Sequence, residues 1–163
     1  MKEYWDLYDK DGNMLERKVT RGEKLLFGEY HLVINAWIKN SNNEYLITQR
    51  SKNKTHPLMW ECSGGSALMN ESSIDAAIRE VKEELGIDVE DGLFIGRTIR
   101  YYPNCPDILD VWLFNCDKNL EEITIQKEEV NDVMWANVSK IKELYNEGKF
   151  EANPFIDEVL LNH

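Results

Sequence analysis

Hydrophobic positions along the chain change their period several times, and each period predicts a different element. Residues 31–38 (HLVINAWI) are almost continuously apolar, as in a strand that is buried on both faces. The polar run 40–43 predicts a turn, and residues 45–50 (YLITQR) predict the strand that returns from it. Further strands are predicted at 94–102, 109–114 and 133–135.

The clearest helix is predicted from Ser72 to Leu85. Its apolar residues recur with helical period and form one stripe, made of Ile74, Ala77, Ile78, Val81 and Leu85. Gly86 follows at the position where a glycine often ends a helix in the left-handed conformation.

Two further helices are predicted near the C-terminus. Asn137 or Ser139 can cap the first of them, which Gly148 ends. Asn153-Pro154 supply a cap and a first-turn proline for the second.

The N-terminal residues 3–16 predict two short strands around the turn 9–13 (DKDGN). Residues 17–29 are polar and contain glycines, so we expect a loop that leads into the main sheet. Strands on both sides of one internal helix, with helices last, predict a layered α/β or α+β domain. The length fits a single domain spanning 1–163, with 1–29 as a β-extension.

The chain is acidic, with 19 basic and 30 acidic residues and a formal net charge of −11. This balance argues against nucleic acid or an anionic membrane as a partner, because both need clustered Lys and Arg. It is compatible with a small phosphate ligand, since a bound divalent cation can invert the local field. The apolar runs are too short for a membrane span, and three cysteines without a C-x-x-C pair predict reduced thiols in the cytoplasm.

The second half of the predicted helix carries a cluster of acidic residues. Glu80, Glu83 and Glu84 are spaced so that all three project to one face, which we expect to lie opposite the apolar stripe. Like charges repel at this spacing, and the helix dipole disfavours anions near a C-terminus. A hard divalent cation would turn this penalty into a binding site. The alternative is a solvated acidic face without function.

Two features next to the cluster can support it. Arg79 and Glu71 can pair with each other and fix the preceding loop against the helix. The dipeptide Gly64-Gly65 allows a close approach that a Cβ atom would block.

The stretch 65–87 resembles the Nudix box, Gly-x5-Glu-x7-Arg-Glu-U-x-Glu-Glu-x-Gly-U, where U is aliphatic. The matching residues are Gly65, Glu71, Arg79, Glu80, Val81, Glu83, Glu84, Gly86 and Ile87. The resemblance implies an αββα sandwich, with a mixed β-sheet between helices. It also implies a hydrolase that uses Mg²⁺ or Mn²⁺ to cleave a diphosphate linked to another moiety, usually a nucleoside.

The same resemblance assigns roles to individual residues. It implies that Glu80, Glu83 and Glu84 bind the metal, with the carbonyl of Gly64 or Gly65 as a further candidate ligand. Glu71 and Arg79 match the supporting pair of the box.

The resemblance leaves the identity of the general base open. Glu80 is one candidate, and Glu128 or Glu129, in the acidic loop before Val130, is the other. A solvated loop charge is an equal alternative for Glu128 and Glu129.

A longer resemblance points to Nudix proteins related to isopentenyl-diphosphate isomerase. It rests on residues 5–9 with Gly12, 21–22, 28–31 and 46–51. The active-site Cys and His of the isomerases fall on Gly64 and Ser66 here, and Cys62 lies two residues too early. A hydrolase is therefore favoured, with an isomerase or a non-catalytic nucleotide-binding module as alternatives.

Two further residues are candidates for substrate binding. His31 matches a position that ligates metal in the isomerases, but a strand-end His with a backbone partner is the other interpretation. Arg50 can contact a phosphate or form a structural ion pair. The expected partner is a small-molecule diphosphate, and family resemblance suggests a homodimer. Which diphosphate is bound depends on loops such as 51–57 and 101–109.

Overall fold

The computed structural model describes residues 2–163, which form nine strands, three α-helices and a short 3₁₀ turn. The strands are β1 (Tyr4–Tyr8), β2 (Met14–Thr20), β3 (Tyr30–Lys39), β4 (Tyr45–Arg50), β5 (Trp60–Glu61), β6 (Ser63–Ser66), β7 (Leu93–Arg100), β8 (Asp107–Asn115) and β9 (Val130–Ala136). The helices are α1 (Ser73–Leu85), α2 (Val138–Asn146) and α3 (Ile156–Asn162).

Strand β3 is the centre of the sheet. It pairs in parallel with β8 along its length and antiparallel with β6. Strand β1 joins it near its start, and β4 meets it at the Lys39–Tyr45 pair. Strand β7 extends the sheet beyond β8, while β5 and β9 flank β4. The sheet is therefore mixed, as expected.

The apolar run in β3 is explained by burial on both faces. One side of the sheet packs Ile34, Ala36 and Ile38 against helix α1. The other side packs Trp37 against helices α2 and α3, which contribute Ile141, Leu144, Val159 and Leu160. Because successive residues of a strand point to opposite faces, one apolar run serves two cores. The predicted arrangement of helices on both sides of a mixed sheet is confirmed.

Helix α1 has the ends that the sequence predicts. The Ser72 hydroxyl accepts a hydrogen bond of 3.2 Å from the Asp75 backbone N–H. At the other end Gly86 adopts φ 66°, and its N–H donates to the Lys82 carbonyl. These two caps define the ends of the helix, and its buried side chains pack it against the sheet.

Residues 17–20 were predicted as loop, and this prediction is wrong because β2 continues to Thr20. Side chains along β2 alternate between exposed Met14, Glu16 and Lys18 and the more buried positions between them. Only Val19 is fully buried, in a small cluster with Trp5, Leu7 and Leu25. Exposed and more buried side chains thus alternate as in other strands, but polar residues at half-buried positions conceal this alternation in the sequence.

The predicted start of the last helix is also wrong. Helix α3 begins at Ile156, with Phe155 in the N-cap position. The Asn153 side chain accepts from the Phe155 N–H, so it stabilises a turn before the helix instead of capping it. Strand β7 ends at Arg100, two residues earlier than predicted, and the short strands β5 and β6 lack a sequence signal. No helix within 2–163 has the length and apolar character needed to cross a membrane.

Replacing Leu85 tests how firmly α1 is held. Its side chain is completely buried in the core shared by α1 and the sheet. We expect Leu85→Ala to lower the free energy of unfolding by about 2–5 kcal/mol, because it leaves a cavity. The matched control is Leu161→Ala, since Leu161 is 63% exposed on α3. Urea denaturation measures the free energy of unfolding of both variants. An equal loss of stability in the two would contradict the packing of Leu85 in this core.

Candidate active site

A cavity of about 420 Å³ lies between helix α1, strand β6 and the loop that precedes β9. Its walls include the three glutamates of the helix, Glu80, Glu83 and Glu84, together with Gly64, Gly65 and Glu129. The predicted metal-binding residues, the supporting residues Gly65 and Arg79, and Glu129 therefore meet at one cavity.

Glu80 lies directly against the backbone of Gly65. A Cβ atom added to Gly65 would clash with the carboxylate end of the Glu80 side chain, which would have to move. The glycine thus lets the Glu80 carboxylate lie close to the backbone. Burial raises the pKa of Glu80, and the neighbouring Arg79 only partly offsets this effect.

Glu84 does not share the solvent-facing side of the helix that the sequence predicts. Its side chain is buried, and one of its oxygens accepts a hydrogen bond from the Ser63 hydroxyl of β6. Burial raises the pKa of Glu84 to about 8, although the Ser63 hydrogen bond and the charge of Lys54 act in the opposite direction. The expected exposed face of three glutamates is therefore wrong, because the helix turns Glu84 towards the sheet.

Arg79 links the preceding loop to the acidic cluster. Its Nε and Nη2 atoms donate to the two oxygens of Glu71 at 2.7 and 3.0 Å. Nη2 also donates to the Ser66 carbonyl, and Nη1 donates to Glu80 and Glu83 at 2.9 and 3.0 Å. The Glu71–Arg79 pair expected from the sequence is present, and the same guanidinium neutralises part of the cluster.

The opposite wall is formed by Lys54 and Glu129. Lys54 Nζ lies 2.7 Å from Glu129 Oε2, and the Glu129 side chain remains 43% exposed. Glu128 has its carbonyl bonded to the Ser51 hydroxyl, and its side chain is not among the groups that line the cavity in 2–163. Of the two candidate bases in this loop, Glu129 therefore lines the cavity and Glu128 does not. Lys54 was missed because its partner is distant in sequence.

Arg50 forms an ion pair at the edge of the cavity. Its Nη1 donates to Glu61 at 2.7 Å, while Nε and Nη2 donate to the carbonyl and hydroxyl of Thr55. The structural role foreseen for Arg50 is present. Its position on the cavity wall also leaves it close to any ligand there.

His31 lies outside the set of residues that line this cavity within 2–163. Its ring stacks on Trp5 with a centroid distance of 4.3 Å, and Nδ1 lies 3.3 Å from the Pro106 carbonyl. His31 therefore adopts the second arrangement considered above, that of a histidine at the end of a strand with a backbone partner. Burial lowers the pKa of His31.

The donor set of the cavity fits a hard divalent cation. Carboxylate and backbone carbonyl oxygens are the ligands that Mg²⁺ and Mn²⁺ prefer. Glu80 and Glu84 accept hydrogen bonds from Arg79 and Ser63, and Glu83, with a side chain 53% exposed, has room to move. Within residues 2–163 no three acidic, His or Cys side chains converge closely enough to form a ready-made metal cage.

Known proteins identify the family to which this fold and cavity belong. The Nudix domain model matches residues 29–159. An uncharacterized Nudix hydrolase of Listeria innocua is 37% identical over 159 residues, covering 96% of this chain and 93% of the relative. The chain therefore belongs to the Nudix family, and it is a Nudix hydrolase, an enzyme of the class that cleaves diphosphate bonds.

Two more distant matches concern the branch of the family and the fold. An isopentenyl-diphosphate isomerase of Escherichia coli is 27% identical over 116 residues, which cover 68% of this chain and 64% of the isomerase. A crystal structure from Deinococcus radiodurans has a TM-score of 0.76 and 18% identity, covering 98% of both chains. The resemblance to the isomerase branch is confirmed at low identity, and the Deinococcus structure shows the same fold.

The buried His31 generates a pH-dependent component of stability. Its pKa is lowered in the folded chain, so the unfolded chain binds the proton more readily. Stability from this group is present above the ordinary His pKa and is lost as the pH falls through the folded value. We expect His31→Gln to remove this component, as measured by urea denaturation between pH about 5 and 7.5. His163→Gln is the control, and an unchanged pH profile for His31→Gln would contradict the prediction.

Proposed function

We propose that the chain hydrolyses the diphosphate linkage of a nucleoside diphosphate-linked small molecule, in a reaction that depends on Mg²⁺ or Mn²⁺. The observation that carries this proposal is the meeting of Glu80, Glu83 and Glu84 with Glu129 at one cavity. A solvated acidic face would not place one glutamate against the backbone of Gly65 and bury another beside a serine hydroxyl. These contacts support a binding site for a cation.

In this proposal Glu80, Glu83 and Glu84, with the carbonyl of Gly64, hold the cation. A bound divalent cation supplies positive charge that offsets the diphosphate and makes an attacking water more acidic. Arg79 donates to both Glu80 and Glu83 and so keeps their carboxylates together at the cavity. Ser63 fixes the carboxyl group of Glu84 from the sheet side.

Glu129 is the proposed general base. One of its oxygens is held by Lys54, and its partial exposure leaves the other available to a water molecule. The water proton passes to Glu129, and the water oxygen bonds to one phosphorus atom. The bridging P–O bond breaks, and the second phosphate group leaves with the electron pair of that bond on its oxygen. Glu80 is less suited to this role, because Arg79 and the Gly65 backbone already confine its carboxylate.

The isomerase alternative finds little support. Gly64 and Ser66 occupy the positions of the isomerase Cys and His. Cys62 is buried, and burial raises the pKa of its thiol, so that it stays protonated. A non-catalytic nucleotide-binding module is distinguished from the hydrolase by the experiments below.

We also propose that residues 1–29 function as part of the same domain. Strand β1 pairs with β3 of the main sheet. Glu3 and Arg21, which lie before the region matched by the family model, line the same cavity as the glutamates. Both observations support a β-extension that contributes to the site.

Replacing the cation-binding glutamates tests the reaction. We expect Glu83→Gln and Glu84→Gln to lower kcat/KM by on the order of 100-fold or more, because each removes charge from the proposed cation site. Glu90→Gln is the matched control, since Glu90 is exposed beyond the end of α1. Phosphate or nucleoside monophosphate release is measured with Mg²⁺ and a panel of nucleoside diphosphate-linked compounds. Normal activity of both variants would contradict the proposal, and tight binding without turnover would indicate a binding module.

Variants of the adjacent residues Glu128 and Glu129 distinguish the loss of a proton acceptor from the loss of one negative charge in the loop. We expect Glu129→Gln to lower kcat by about 100-fold or more, because it removes the proton acceptor. Glu128→Gln changes the same charge one residue away and should retain most of the activity. Mn²⁺ binding measured by calorimetry should stay unchanged in both variants. Equal kcat values for the two variants would eliminate Glu129 as the base.

A further inference from the structure

The candidate base Glu129 belongs to a chain segment that connects helix α1 to the end of β4. Near α1, the Thr124 N–H donates to the Leu85 carbonyl at 3.0 Å, and the Gln126 N–H donates to the Glu84 carbonyl at 2.9 Å. The last carbonyls of a helix have no partner within the helix, so these donors occupy sites that α1 leaves open. The segment is therefore bound to the helix that carries the proposed cation ligands.

A turn follows this contact and brings Glu129 to the cavity. The N–H groups of Glu129 and Val130 both donate to the Gln126 carbonyl, at 2.9 and 2.8 Å. Strand β9 begins at Val130, and its pairing with β4 shifts by one residue between Gln49 and Arg50. Such a shift bends a strand and re-aims the side chains beside it. The direction of the Glu129 side chain thus depends on how this segment meets the end of β4.

Ser51, the residue directly after β4, contacts the segment with two donors. Its N–H donates to the Glu129 carbonyl at 3.0 Å, and its hydroxyl donates to the Glu128 carbonyl at 2.7 Å. Ser51 is only 4% exposed, so water competes little for these hydrogen bonds. One buried residue therefore binds two consecutive carbonyls at the candidate base.

The ion pair between Lys54 and Glu129 is a weaker constraint on the base. The Glu129 side chain is 43% exposed, and ion pairs at such exposure contribute little because water and salt screen them. The three glutamates of α1 line the same cavity, and their negative charges repel the Glu129 carboxylate. Keeping Glu129 at the cavity therefore depends on the contacts of its main chain.

We propose that Ser51 is a positioning residue for Glu129. Its hydroxyl and N–H hold the main chain of residues 128–129, so that the Glu129 carboxylate faces the cavity and the proposed cation ligands. Ser51 is not among the residues that line the cavity within 2–163, so it acts through Glu129 and not on the substrate. The inference rests on the proposed function, in which Glu129 accepts the proton of the attacking water.

Removing the Ser51 hydroxyl tests the inference, with Mg²⁺ and the compound of the panel that the wild-type chain hydrolyses fastest. We expect Ser51→Ala to lower kcat by about tenfold and to leave KM within about twofold, because a displaced base slows proton transfer without altering substrate binding. Ser51→Gly lacks the same hydroxyl and should show the same loss. Mn²⁺ binding measured by calorimetry should stay unchanged in both variants.

Ser73→Ala is the matched control for the loss of a side-chain hydrogen bond. The Ser73 hydroxyl accepts from Trp112 Nε1 at 2.8 Å, and Ser73 is not among the cavity-lining residues of the described chain. We expect this variant to keep kcat within about twofold of the wild-type value, because its hydrogen bond does not touch the segment of the base.

A double-mutant cycle distinguishes positioning from a general loss of structure. In the Glu129→Gln background no carboxylate remains to be positioned, so we expect the further change Ser51→Ala to alter kcat by less than about twofold. A defect of folding, or of the cavity as a whole, would lower kcat by the same factor in both backgrounds. Equal losses in the two backgrounds would overturn the inference.

Amide hydrogen exchange, measured by mass spectrometry, reports on the segment without any substrate. Peptides covering residues 126–131 should exchange at least about threefold faster in Ser51→Ala than in the wild-type chain, because the segment opens more easily without its anchor. In Ser73→Ala the exchange of these peptides should stay at the wild-type rate.

The outcomes keep the inference and the proposed function apart. Unchanged exchange or unchanged kcat in Ser51→Ala would overturn the role of Ser51, while hydrolysis that depends on Glu129 would leave the proposed function intact. Full activity of Glu129→Gln would overturn both the base and its positioning residue, although hydrolysis itself would stand. If the wild-type chain hydrolyses no compound of the panel, the proposed function fails, and the role of Ser51 in catalysis fails with it.

Discussion

The site depends on one guanidinium group. Arg79 contacts the loop through Glu71 and Ser66 and contacts the helix face through Glu80 and Glu83. Like charges at these spacings repel one another, and their position near the C-terminal end of a helix adds a further cost. Burial by itself lowers the pKa of Arg79, but its carboxylate partners raise it, so the guanidinium keeps its charge. Arg79 therefore both holds the loop against the helix and compensates part of the negative charge of the cluster.

Helix α1 connects this charge balance to the core. Val81 and Leu85 are completely buried against the sheet, and Glu84 is buried as well and accepts a hydrogen bond from Ser63 of β6. The helix cannot rotate to expose Glu84 without withdrawing the apolar stripe from the core, which would cost several kcal/mol. A carboxyl group with a raised pKa is thus maintained by hydrophobic packing. Gly65 completes the arrangement by allowing Glu80 to approach the backbone.

Local sequence signals were sufficient for most of the fold and for the residues of the box. The ends of α1 follow from Ser72 and Gly86, and the contact between Glu71 and Arg79 follows from spacing along one loop and one helix. The burial of Glu84 and the pairing of Lys54 with Glu129 depend on how distant segments pack, so spacing could not reveal them. The same holds for β2 beyond Glu16, where tertiary contacts of Val19 define a strand that polar composition conceals.

The charges of the cavity beside α1 explain why a cation suits the proposed reaction. Within residues 2–163, five Lys and Arg side chains line it, and each faces an acidic partner: Arg21 with Glu3, Arg50 with Glu61, Lys54 with Glu129, Arg79 with Glu71, and Arg100 with Asp107. These basic groups already compensate carboxylates, so little of their charge remains to offset a diphosphate. The chain as a whole carries −11, which adds to the repulsion of an anionic ligand. A divalent cation held by Glu80, Glu83 and Glu84 would reverse the sign of the field at the point where the diphosphate must lie.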